Sequence, residues 1–209
     1  MKNINEQLKD AIACSDFRFL EKNKHKYDLN HRFLDENNDS LLLYSISDKD
    51  SSAYQYFLKN NADINLVNNE NENIFHAIVY SNCKNRISEV INKNKTIIDK
   101  INDRDLNGAT PLLLSISLEY FEIAKQLIKN GADVNICDNE RVFPIHIAAQ
   151  FAKLDFMKLL IKKGAYLNVK TIKGNYPLAL AINNDKTEIV RYLYRKIYKL
   201  NPTKSELHD

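Results

Sequence analysis

The sequence predicts an all-α solenoid of stacked antiparallel helix pairs, and three observations carry that reading. Three segments read as near copies: Thr110-Pro111-Leu112-Leu113-Leu114-Ser115-Ile116, Phe143-Pro144-Ile145-His146-Ile147-Ala148-Ala149 and Tyr176-Pro177-Leu178-Ala179-Leu180-Ala181-Ile182, with starts 33 residues apart. A second landmark keeps the same frame at Asn61-Ala62-Asp63-Ile64-Asn65, Gly131-Ala132-Asp133-Val134-Asn135 and Gly164-Ala165-Tyr166-Leu167-Asn168. Between the landmarks, apolar residues recur on one helical side, as Ile123, Leu127 and Ile128 and again as Phe156, Leu160 and Ile161. One helix pair cannot bury that side alone, so pairs must stack into a quasi-one-dimensional array.

The N-terminal 34 residues fit the period loosely. Ile4, Leu8, Ala11 and Ile12 suggest one helix, Phe17 and Leu20 a second, and Asp28-Leu29-Asn30 an exit, which reads as a degenerate cap over 1–34. Weaker copies of the first landmark follow at Ser40 and Asn73, giving repeats over 35–67 and 68–104. The step from Asn73 to Thr110 is 37 residues because the segment Lys93 to Asn102 is about four residues longer than the usual link. Its isoleucines, Ile97, Ile98 and Ile101, could pack inward or form a secondary contact. Repeats over 105–137 and 138–170 follow.

Helix ends are written into these units. Pro111, Pro144 and Pro177 fall in the first helical turn, where a missing N–H costs nothing, and Thr110 precedes as an N-cap. Gly131, Gly164 and Asn61 follow the second helices, where a left-handed residue ends a helix. In the last unit, 171–200, Ile197 stands where earlier units have glycine, and Tyr192, Tyr194, Arg195, Lys196, Tyr198 and Lys199 give the last helix a more polar outside, which reads as a C-terminal cap before a polar tail at 201–209. The whole of 1–200 forms a single domain on this reading.

Taken together, these segments closely resemble the ankyrin repeat, with its T-P-L-H-x-A helix start, E-I-V-x-L-L second helix and G-A-D-V-N exit. The resemblance covers roughly residues 35 to 200 in five frames. It implies projecting hairpin loops, and a structural hydrogen bond from His76 and His146, which occupy the T-P-L-H position, to the neighbouring loop. Some places depart from the pattern. Arg141 replaces the loop glycine seen as Gly108 and Gly174, and the inter-helix glycine is Lys49, Asn82, Glu119, Ala152 and Asp185 in successive units, so those turns are expected to be distorted.

Composition excludes several function classes. Lys and Arg number 30 against 27 Asp and Glu, a net charge of +3 that creates no overall field for nucleic acid or anionic lipid. The basic residues are scattered without a stripe of interleaved aromatics. Cys14, Cys83 and Cys137 are odd in number and too far apart for a metal knuckle. Ala109 to Leu118, the longest mainly apolar stretch, is too short to span a bilayer. The expectation is a cytoplasmic protein, or one delivered into a host cell by a signal not readable here, and a monomer by itself.

No H-E-x-x-H, Walker loop, G-x-S-x-G or G-x-G-x-x-G pattern occurs, and each of the four glycines already has a turn to make. The sequence therefore predicts no enzyme, no catalytic residue, no metal and no cofactor. The resemblance implies instead a scaffold that binds a protein partner through hairpin tips and inner helices. Carried over frame by frame, that surface is acidic at Glu36, Asp39, Glu70 and Glu72, with Tyr80 and Ser81 beside them. It is apolar at Leu106, Leu118, Val142 and Phe151, and mildly basic at Lys173 and Lys170. Tyr80, Leu106, Leu118, Val142 and Phe151 are expected to carry the affinity, unless Leu118 and Phe151 turn inward to fill a gap between helices. The acidic end favours a partner with a basic patch. Inhibitor, adaptor and sequestering protein all fit, as does a toxin neutraliser or a host-directed effector if the source is bacterial. A regulatory or targeting subunit of a separate enzyme is the alternative.

Overall fold

The computed structural model describes residues 2–35, 37–49, 52–151 and 153–198. Helix starts are fixed by local chemistry. Asn3 opens α1 (Ile4–Ala13) by accepting the Glu6 N–H through its carboxamide, while the Glu6 carboxylate reaches back to the Asn3 N–H. Asp16 caps α2 (Phe17–Asn23) with its carboxylate alone, accepting the Phe19 N–H at 3.0 Å. A short antiparallel pair, β1 (Arg32–Phe33) and β2 (Asp39–Ser40), then leads into α3 (Leu41–Ser47) and α4 (Ala53–Lys59).

The remaining units repeat the pair: α5 (Ile74–Ser81) with α6 (Asn85–Lys93), α7 (Pro111–Ser117) with α8 (Phe121–Lys129), α9 (Pro144–Gln150) with α10 (Leu154–Lys162), and α11 (Pro177–Asn183) with α12 (Thr187–Tyr198). Pro111, Pro144 and Pro177 are each the first residue of an inner helix. Asn61, Gly131 and Gly164 each take a left-handed backbone after an outer helix. The last helix runs to Tyr198 through the place where glycine ended its predecessors.

The inner helices α3, α5, α7, α9 and α11 stack in one row, each against the next, and the outer helices pack behind them. Four of the five inner helices carry a small residue at one buried position, where α5 has Ile78. Ser45, Ser115, Ala148 and Ala181 are fully buried at the same repeat position, and each serine hydroxyl donates to the carbonyl three residues back. A continuous apolar core runs from Leu8 and Ile12 to Ile189 and Leu193.

The longer link in the third unit packs inward. Residues Lys95–Lys100 form a 3-10 helix whose Ile97 is fully buried, and Ile101 behind it is 2% exposed. Asn73 explains how the unit accommodates it: the carboxamide oxygen caps α5 at Phe75 N (2.9 Å), and the amide nitrogen donates to Lys100 O at 2.7 Å. A threonine cap has no second arm to hold the link.

The expected distortion of the inter-helix turns is not what the backbone shows. Asn82, Glu119 and Asp185 keep the left-handed conformation with φ of 51°, 58° and 53°, so side-chain residues bear a cost that glycine avoids. Arg141 does the same in its hairpin, at φ 57°. Ala152 lies outside the described residues. At Lys49 another device operates. Arg86, 5% exposed at the start of α6, donates to the carbonyls of Ile46, Asp48 (2.9 Å) and Lys49 (3.1 Å), satisfying the C-terminal end of α3 with a buried cation. Its guanidinium also lies 4.6 Å from the Tyr54 ring centre.

Candidate binding face

The face is built first from hairpins. Each begins with a residue whose side-chain oxygen receives backbone N–H groups of its own turn: Asn68 from Glu70 and Glu72, Asp105 from Ala109, Asp138 from Glu140 and Val142, and Thr171 from Asn175. Neighbouring tips are then tied by one backbone bond each: Asn69 N to Asn37 O (3.0 Å), Leu106 N to Glu70 O (2.9 Å), Asn139 N to Asn107 O (3.0 Å) and Ile172 N to Glu140 O (2.9 Å). The tips form an ordered row, and residues on them hold fixed spacings along the stack.

The apolar residues expected on this face sit as follows. Leu106 is 60% exposed at a tip, Phe151 is 55% exposed at the end of α9, and Tyr80 and Leu118 are 48% and 38% exposed at the ends of α5 and α7. Neither Leu118 nor Phe151 turns in to fill the gap between helices. Val142 is half-buried and packs on the core, so it offers less surface than its neighbours. With Glu140, Gln150, Lys173 and Leu180 it lines a groove of about 280 Å³ between the last two units.

The acidic residues are brought together by hydrogen bonds that sequence reasoning did not foresee. The Glu72 carboxylate accepts the Tyr80 hydroxyl at 2.6 Å and the Asn68 amide at 2.8 Å, and the same amide reaches Asp39 Oδ1 at 3.0 Å. Burial and then the adjacent Glu72 push the Tyr80 phenol well above the ordinary tyrosine range, so it stays a donor. Glu70 is exposed at its tip, and Glu36 lies outside the described residues. Ser81 corrects the expected surface: it is 1% exposed, because one step along α5 turns it inward, where its hydroxyl donates to Ile78 O at 2.7 Å.

The two inner-helix histidines are structural. In His146, Nδ1 accepts from Phe143 N at 3.0 Å while Nε2 donates to Val169 O at 3.2 Å, which fixes a neutral tautomer. His76 bonds Ala109 O through Nε2 at 3.1 Å in the same way. Burial lowers both pKa values below the usual 6.5. Among the described residues no cluster of three or more His, Cys, Asp or Glu could hold a metal ion, and no helix is long and apolar enough to cross a membrane.

Stacked helix pairs with a row of tied hairpin tips define a helical repeat module. The model of the family "Ankyrin repeats (3 copies)" matches residues 41–138 and 119–205, and the chain belongs to that family. An ankyrin repeat protein of Acanthamoeba polyphaga mimivirus is 32% identical over 102 residues, which is 49% of this chain and 13% of the relative. Inversin of Gallus gallus is 35% identical over 75 residues, 36% of this chain and 6% of the relative, and inversin of Homo sapiens is 33% identical over a stretch of the same length. The chain thus spans a small fraction of each relative's length. The family is generally non-enzymatic, and its repeats are protein-binding modules.

Proposed function

We propose that the chain grips a protein partner through the inner-helix ends and hairpin tips of its second to sixth units, and acts by occupancy as an inhibitor, adaptor or sequestering protein. The observation that carries this reading is the set Tyr80, Leu106, Leu118 and Phe151, four large side chains left 38–60% exposed at a hairpin tip and at the ends of packed inner helices. Apolar groups in that position gain free energy when a partner removes them from water, and hot spots of this kind are typically worth at least about 2 kcal/mol each. The carboxylates of Asp39, Glu70 and Glu72 at one end set orientation and favour a basic patch on the partner.

The test is affinity capture with tagged wild type beside a Leu118→Arg, Phe151→Arg double variant whose fold is checked by circular dichroism. Both sites are exposed, so the variant should fold. A partner held by wild type and lost by the variant supports the reading. Equal capture by both overturns the assigned face.

A further inference from the structure

We infer that the last hairpin carries an anion pocket that receives a phosphorylated side chain of a bound peptide. The pocket, about 570 Å³, is bordered by Arg141, Lys170, Thr171, Gly174 and Tyr176, with no acidic residue on its wall among the described residues. The inference deepens the binding-module reading above and rests on it for the peptide that bears the phosphate.

Two cations face this space without an anion. Lys170 stands at the repeat position of Arg104, whose guanidinium is used up within the stack: Nε donates to Gly108 O and Nη2 to Asn139 Oδ1, both at 2.9 Å. Lys170 has only the Tyr176 ring, 4.8 Å from its ammonium nitrogen to the ring centre, and among the described residues it forms no ion pair. Arg141 is exposed, likewise without an ion pair, and stands in a left-handed turn where the equivalent residues are Asn71, Gly108 and Gly174. The hairpin keeps a side chain there against its backbone preference, and that side chain is a planar fork of N–H donors. Gly174 opens onto free space, whereas Gly108 is closed over by Arg104 and Asn139.

A guanidinium and an ammonium bordering one cleft match the oxygens of a phosphate monoester. The rest of the face selects a single phosphate rather than a polyanion. Glu140 rims the neighbouring groove, and Asp39, Glu70 and Glu72 lie further along the same row, so a nucleic acid strand or an anionic bilayer following it meets repulsion.

The probe is phenyl phosphate, titrated calorimetrically into the full chain. Wild type is expected to bind it, with phenylacetate weaker. Arg141→Gly, which places there the glycine found at 108 and 174 and so relieves the backbone, should weaken binding at least about tenfold, as should Lys170→Gln. Absence of binding, or equal affinity in wild type and both variants, overturns the pocket. So does phenylacetate binding as tightly, or an oligonucleotide or phosphatidylserine vesicle binding tighter than phenyl phosphate in an Arg141-dependent way. The two proposals separate cleanly. Loss of phenyl phosphate in Arg141→Gly, beside undiminished partner capture by Leu118→Arg, Phe151→Arg, sinks the assigned face and keeps the pocket; the opposite pair of results sinks the pocket alone.

Discussion

The second and third units and the fourth to sixth units reach the same stacked geometry by different chemistry. In the later units the backbone is prepared locally: proline opens α7, α9 and α11, and glycine follows α8 and α10. Asn102, at the end of the third unit, and Asn135 then each bridge to the next unit, their carboxamide oxygens accepting from Asp133 N (2.8 Å) and Tyr166 N (2.9 Å). In the earlier units those devices are only partly present: Asn30 Oδ1 still accepts from Asp63 N at 2.8 Å, and Asn61 takes the left-handed place of glycine after α4. No proline opens α3 or α5, and Asn65 turns back onto Asp63 instead of bridging across the longer link. Long-range side chains take over: Arg86 closes the end of α3, Tyr54 donates to Glu89 of α6, and Asn73 ties the link. The difference shows that a repeat tolerates loss of its local signals when a buried polar contact from the neighbouring unit replaces them.

The largest way to break this comparison is at Arg86. Arg86→Ala should cost about 3 kcal/mol, since it removes charge-assisted bonds to three carbonyls at the end of α3, while Glu122→Ala, at an exposed place near the start of α8, should stay within about 0.5 kcal/mol. Urea denaturation of both variants checks it, and equal losses would mean that Arg86 is incidental to the junction.

A smaller effect tests the later units. At Gly108 an added Cβ would fall 2.3 Å from Arg104 Nη2 and 2.7 Å from the Asn139 backbone nitrogen, whereas at Gly174 it meets nothing within 4 Å. Both have φ of 79°, so Gly174→Ala should cost about 1 kcal/mol from the backbone alone and Gly108→Ala about 2 to 3 kcal/mol. Melting temperatures that rank the two the other way would show that the tips yield easily.

The smallest effect should be shared by both regions. Burial depresses the pKa of His76 and of His146, so the unfolded chain takes up protons more readily than the folded one. The stability these neutral rings supply is fully present above the ordinary value of 6.5 and is lost as pH falls below it. Denaturation midpoints measured across that window should slope downward, and His76→Leu or His146→Leu should flatten the slope, leucine being the residue at the equivalent Leu43 and Leu113. An unchanged slope would move the acid sensitivity to other groups.

Several features of the face could not be read along the chain. The frame placed Tyr80 and Ser81 together, yet a helix turns by about 100° per residue, and that rotation leaves Tyr80 outside and Ser81 in the core. Glu72 and Tyr80 are eight residues apart, and no local pattern says that a carboxylate on a hairpin and a phenol at a helix end meet. The helix ends were legible because each depends on a few adjacent residues, as at Thr110, whose hydroxyl accepts from Leu113 N at 3.2 Å.

By itself the sequence determined the repeat and its period, because these follow from turn chemistry and apolar spacing repeated in register, and the family resemblance those repeats carry implied the role of His76 and His146. Only the tertiary structure decided that Ile97 and Ile101 pack inward, that Arg86 is buried against carbonyls, and that Lys170 lacks the partners its counterpart Arg104 uses. Those outcomes depend on which atoms of neighbouring units arrive at hydrogen-bonding distance, and in a solenoid that is set by the stacking of one unit on the next rather than by the order of residues within either.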